Sequence, residues 1–89
     1  MALSFPNPSR SFDAARNRVR FWGYDSIIEV AFFVEVGALK KLYPEMTNVE
    51  AGFLKAFDAA LQRIHQVATR VYTRRGEGAS AYILAAKDF

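Results

Sequence analysis

Residues Arg18 to Val36, RVRFWGYDSIIEVAFFVEV, alternate between two kinds of side chain, and this alternation constrains the fold more than any other feature of the chain. A β-strand sends successive side chains to opposite faces, so a sustained period of two argues for strand. Asp25 and Ser26 interrupt the run with residues suited to a turn, which predicts two strands joined as a hairpin. A two-residue turn at that point sets Tyr24 opposite Ile27, Phe21 opposite Val30 and Val19 opposite Phe32. One face then carries Val19, Phe21, Ile28, Val30, Phe32 and Val34, all apolar. The other carries Arg18, Arg20, Trp22, Tyr24, Glu29, Phe33 and Glu35, with the arginines placed to pair with Glu29 or to lie over Phe33 and Trp22. Asp25, Glu29 and Glu35, odd in so apolar a run, are thereby expected to mark the outer face.

The same run is too short for a membrane. A spanning helix needs about 18 apolar residues with few charges, whereas the longest uncharged, strongly apolar run is Val30 to Val34. The start, MALSFPNPSR, has neither a basic nor a long apolar region, so no secretory signal is expected. Cysteine is absent from the 89 residues, which removes disulfides, thiol nucleophiles and cysteine zinc sites and suits the cytoplasm. A chain of this size hides only about 60 to 65% of its unfolded surface on folding, so its core must be rich. Eight Phe, four Tyr and one Trp in a 52% hydrophobic chain supply that core for one domain over residues 1–89.

Before the hairpin, residues 1–17 read as an extended arm, because Pro6 and Pro8 discourage helix and central strand alike. Phe5 and Phe12 are its expected anchors, with at most a short edge strand near Leu3 to Phe5. After the hairpin, ALKKLYP predicts a short helix from about Val36 to before Pro44, with Leu39 inward and Lys40 and Lys41 outward. TNVE at Thr47 to Glu50 has the spacing of a capping box. From there on, Val49, Phe53, Leu54, Phe57, Ala60, Leu61, Ile64, Val67, Ala68 and Val71 recur at helical steps, predicting one long helix from about 48 to 73. Arg70, Arg74 and Arg75 suit its C-terminal end and Gly76 its termination. Such a helix approaches 39 Å at about 1.5 Å per residue, so part of it is expected to overhang a small sheet or meet another chain. The tail from about Ala79 to Ala86 reads as a final strand, placed beside Arg18 to Tyr24 so that neighbours run antiparallel. The expected fold class is α+β: a small antiparallel sheet, hairpin plus C-terminal strand, packed on one long helix with a short helix before it.

Little in the chain suggests catalysis. His65, the only histidine, shares a helix side with Asp58, but seven helical residues span about 10 Å, too far for a direct bond. One histidine without cysteines or a dense carboxylate cluster leaves too few ligands for a metal. The Gly-Glu-Gly stretch at Gly76 to Gly78 follows a helix and precedes a strand, the reverse of a phosphate-binding loop, and is read as a turn. No catalytic, cofactor or metal residue is therefore assigned. The candidate surface is Arg18, Arg20, Trp22, Tyr24 and Phe33, which share the outer face and combine cations with aromatic rings.

VRFWGYDS, IIEVAFFVEVGAL, FLKAFDAALQRIHQVATRVY and the strand-like YILAAKDF together resemble a family of short bacterial proteins known as domain of unknown function 1488, over roughly residues 18 to 89. The resemblance implies a small α+β domain of a bacterial, cytoplasmic protein, and brings no activity, cofactor or catalytic residue. The leading expectation is a non-enzymatic interaction or regulatory module, with a homodimer as one form. Single-stranded nucleic acid on the outer face is a weaker alternative, and a small-molecule site or weak enzyme near His65 and Asp58 a third.

Overall fold

A computed structural model describes residues 3–76 and 79–89, so the turn expected at Gly76 to Gly78 lies partly outside the described residues. The class is α+β. Strands β1 (Leu3–Ser4), β2 (Arg10–Asp13), β3 (Arg18–Asp25) and β4 (Ile28–Glu35) are followed by helices α1 (Val36–Leu42), α2 (Glu50–Ala59) and α3 (Leu61–Arg75). Strand β5 (Tyr82–Leu84) and a 3-10 turn at Ala86–Asp88 close the chain. The strands form one mixed, mostly antiparallel sheet in the order β1-β3-β4-β5, with β2 sharing the β3 edge with β1. Between β1 and β2 the chain leaves that edge at Pro6 to Pro8, where prolines offer no amide to the ladder.

β3 and β4 form the expected hairpin in a register displaced by two residues. Asp25 remains in the strand opposite Ile28, Arg18 lies opposite Glu35, and Ser26 and Ile27 make the turn. A shift of two preserves every face, so Val19, Phe21, Val30, Phe32 and Val34 are all buried as the alternation requires. Asp25 departs from its expected outer placement. It lies on the helix side, where its carboxylate accepts a hydrogen bond from the Tyr72 hydroxyl at 2.7 Å. Ile28, expected inside, is 60% exposed because it lies at the sheet's uncovered end.

The expected long helix is two helices. Ala60, with φ −105° and ψ 18°, separates α2 from α3, although the Ala60 amide still donates to Ala56 and that of Ile64 to Ala60. Each half thus finds its own seat: Phe53 against Phe12 and Phe57 against Phe21 from α2, and Tyr72 edge-on to Tyr82 from α3. Burial continues to Val71 and Tyr72, so the overhang that favoured a second chain does not arise. Nor does the capping box form. α2 begins at Glu50 behind Val49 with no side-chain cap, and the Thr47 carbonyl instead lies against Gly52. A Cβ at Gly52 would meet that carbonyl, so the tight entry to α2 depends on glycine.

β5 pairs with β4, Tyr82 beside Phe32 and Leu84 beside Val34, and runs parallel to it, not antiparallel beside β3 as expected. The arm already occupies the free edge of β3, and the helices between β4 and β5 supply the crossover that a parallel neighbour requires. Tyr82 and Leu84 face the core while Ile83 faces outward. All three helices cover the inner face, where Ala38, Leu39, Ala56, Ile64, Val67 and Ala68 are fully buried.

Candidate interaction surface on the outer sheet face

With the helices on one side, the other side of the sheet is formed by residues that the pairing register places at alternate positions. Arg18, Arg20, Trp22 and Tyr24 come from β3, Glu29, Ala31, Phe33 and Glu35 from β4, Ser11 and Asp13 from β2, and Ile83 from β5. The five residues singled out in the sequence, Arg18, Arg20, Trp22, Tyr24 and Phe33, therefore do share one face. The N-terminal arm extends the sheet at its edge and does not lie across this face, because Phe5 turns inward onto Phe21 and Phe32.

The two arginines are held over the rings. Arg18 places its guanidinium 3.7 Å from the centre of Phe33 and directs Nε at Asp13, 3.4 Å away. Arg20 lies between two rings, 5.1 Å from Trp22 and 5.8 Å from Phe33. Arg20 keeps its charge in water while its stem covers apolar surface, whereas the Arg18 side chain is largely covered and has Asp13 as its counter-ion. At the hairpin end the Tyr24 hydroxyl donates to Glu29 at 2.8 Å. The face therefore has an apolar centre of Trp22, Phe33 and Ile83 with charge at both ends. Alternation alone did not reveal Asp13 and Ile83 as members, since their strands were not expected to pair there.

The family model described as "Protein of unknown function (DUF1488)" matches residues 3–84, nearly the whole chain. The chain belongs to this family. No curated protein and no solved structure matches it. The match begins in β1 and includes the arm, which in this DUF1488 chain is part of the sheet. No helix among the described residues is long and apolar enough to cross a membrane, and none of their acidic and histidine side chains group as a metal site.

His65 and Asp58 are not brought together in this DUF1488 protein. Both Asp58 carboxylate oxygens accept from Arg10 on β2, at 2.9 and 2.8 Å, an ion pair that joins the arm to α2 and holds the guanidinium more firmly protonated. His65 instead stacks on Phe5, and burial lowers its pKa. A pocket of about 80 Å³ beside it, lined by Asn7, Pro8, Phe57 and Leu61 among others, is well below the size of ordinary small-molecule sites. A larger hollow of about 280 Å³ lies at the hairpin end of β4, between Ile28 and Val30 on one side and Tyr72 and Tyr82 on the other. Ile27, at the adjoining turn, is 94% exposed. The sequence reading placed Ile27 within a strand, so this apolar tip became visible only with the true register.

Proposed function

We propose that the protein acts without catalysis, as a bacterial cytoplasmic interaction module whose outer sheet face packs on a second copy of itself. The observation that carries this reading is the one-sided cover of the sheet: helices bury the inner face, while Trp22, Phe33 and Ile83 form an apolar centre on the other. Glu29 lies at one end of the hairpin, and Arg18 and Arg20 lie with Asp13 and Glu35 towards the other, so an antiparallel two-fold pairing brings Glu29 of each copy towards arginines of its mate that carboxylates already accompany. The absence of cysteine supports the cytoplasmic setting. Against catalysis, His65 is stacked under Phe5 and Asp58 is engaged by Arg10, so neither has a reactive partner beside it. Single-stranded nucleic acid suits this face less well. Asp13, Glu29 and Glu35 outnumber Arg18 and Arg20, and the rings that would stack on bases already lie under guanidinium groups.

Light scattering coupled to size exclusion tests the reading on wild type, Trp22→Ala and Ile83→Lys. The expected result is a wild-type dimer that both substitutions split, with circular dichroism unchanged. A wild type that stays monomeric at millimolar concentration, or a dimer that both variants retain, overturns it.

A further inference from the structure

Charge is divided between the two layers of the fold. The three helices carry seven basic residues, Lys40, Lys41, Lys55, Arg63, Arg70, Arg74 and Arg75, against only Glu50 and Asp58. The outer sheet face has the opposite excess, with carboxylates outnumbering arginines. α3 is the extreme case, because it holds four arginines and no acidic residue.

Three of those arginines form a row. At 100° per residue, Arg63, Arg70 and Arg74 fall within a sector of about 40° and rise along the axis by about 10 Å and then 6 Å. All three are exposed on one flank of the helix, while Ile64, Val67, Ala68 and Val71, centred about 90° round from the row, face the core. Charge at a helix C-terminus explains Arg74 and Arg75. It does not explain Arg63 and Arg70, which lie further from the end and make no ion pair with any described residue. Arg74 makes one long contact, 3.5 Å to Asp88, and stays more than half exposed. Gln62 and Gln66 are exposed beside the row, whereas the Thr69 and Thr73 hydroxyls are spent on carbonyls of their own helix.

We propose that α3 lays this arginine row along the phosphate backbone of a nucleic-acid duplex, a binding surface separate from the outer sheet face. Guanidinium groups bind phosphate oxygens in pairs of parallel hydrogen bonds, and arginines without internal partners are available to do so. The acid-rich sheet face opposes binding in the reverse orientation. Recognition through phosphates makes the binding independent of sequence and steeply dependent on salt.

The test is fluorescence anisotropy of a short labelled DNA duplex titrated with the full chain over a series of salt concentrations. Wild type is expected to bind at low salt with log K falling linearly against log salt. Arg63→Gln/Arg70→Gln is expected to reduce that slope by about 2 and to weaken low-salt binding about tenfold or more. Arg63→Lys/Arg70→Lys retains the slope, which separates charge from any loss of folding. Arg16→Gln, which removes one cation from the turn between β2 and β3, leaves it unchanged. No anisotropy change at the lowest salt overturns the proposal, as does a glutamine double variant that binds like wild type. So does capture by phosphatidylserine vesicles under conditions where the duplex does not bind, which would identify a membrane surface as the polyanion.

Discussion

Phe5 and His65 stack face to face, with ring centroids 3.9 Å apart and planes within 4° of parallel. The pair joins the N-terminal arm to α3 across the inner face of the sheet. Phe5 also lies 6.2 Å from Phe21 and 6.0 Å from Phe32. It fits there because the next inward position on β3 is Gly23, where a Cβ would approach the Phe5 ring to 2.9 Å and Phe32 to 3.1 Å. A glycine that weakens a strand by itself is here the place where an aromatic ring from another strand rests.

Stability is expected to fall as pH drops below 6.5, the ordinary histidine value. Burial lowers the His65 pKa in the folded chain, so the unfolded chain takes up its proton first. The unfolded state then binds more protons than the native one, and stability is lost from about the unfolded pKa downward until the folded pKa is passed. Asp58 offers His65 no compensating charge, because Arg10 engages it. Urea midpoints measured on either side of that pH should differ for wild type and converge for His65→Phe, which keeps a ring against Phe5. Equal slopes in the two proteins would show that other groups cause the change.

Phe5→Ala should cost about 2 kcal/mol, less than a fully buried ring because Phe5 is only half-buried. It should also return the His65 pKa towards its ordinary value, since the ring above the imidazole is removed. Proton NMR titration of the single histidine reads that shift directly, and an unmoved pKa would mean that the helices alone supply the burial.

The alternation in β3 and β4 was enough to assign both faces of the hairpin except at Asp25, because a register error of two residues leaves every strand side chain on its own side. It could not place the turn, since Asp25 stays in the strand through its bond to Tyr72, a residue 47 positions away. The arm's edge strand near Leu3 to Phe5 was legible and forms as β1 at Leu3–Ser4, but its second pairing was hidden. Pro6 and Pro8 mark only where the chain must leave the ladder, and nothing local states that Arg10 to Asp13 returns to it. Once the arm takes the edge of β3, β5 is left with β4 and a parallel course, so two misplacements had a single origin. The candidate surface was legible as Arg18, Arg20, Trp22, Tyr24 and Phe33, and Asp13 and Ile83 joined it only through these long-range pairings.

Gly52→Ala should destabilise the protein although alanine is the better helix former. The propensity gain is about 1 kcal/mol. Against it, the new Cβ meets the Thr47 carbonyl, a backbone atom, and lies 3.0 Å from the Thr47 Cβ, at a buried position. Overpacking of this kind costs about 1 to 3 kcal/mol, so a net loss of about 1 kcal/mol is expected in denaturant titration. A stabilised variant would mean that the segment from Met46 to Val49 shifts freely.

At the hairpin tip, Ser26→Gly should stabilise by about 0.5 kcal/mol. Ser26 holds φ at 61°, at the first position of a two-residue turn, where a side chain is strained and glycine is not. Relief of that strain exceeds the extra freedom that glycine gives the unfolded chain, and the strand ends remain fixed by the Asp25–Tyr72 bond. The register should be unchanged, with amide exchange at Ile28 slowed as the turn tightens. Faster exchange there, or a lower urea midpoint, would show that the Ser26 side chain contributes more to the turn than its backbone conformation costs.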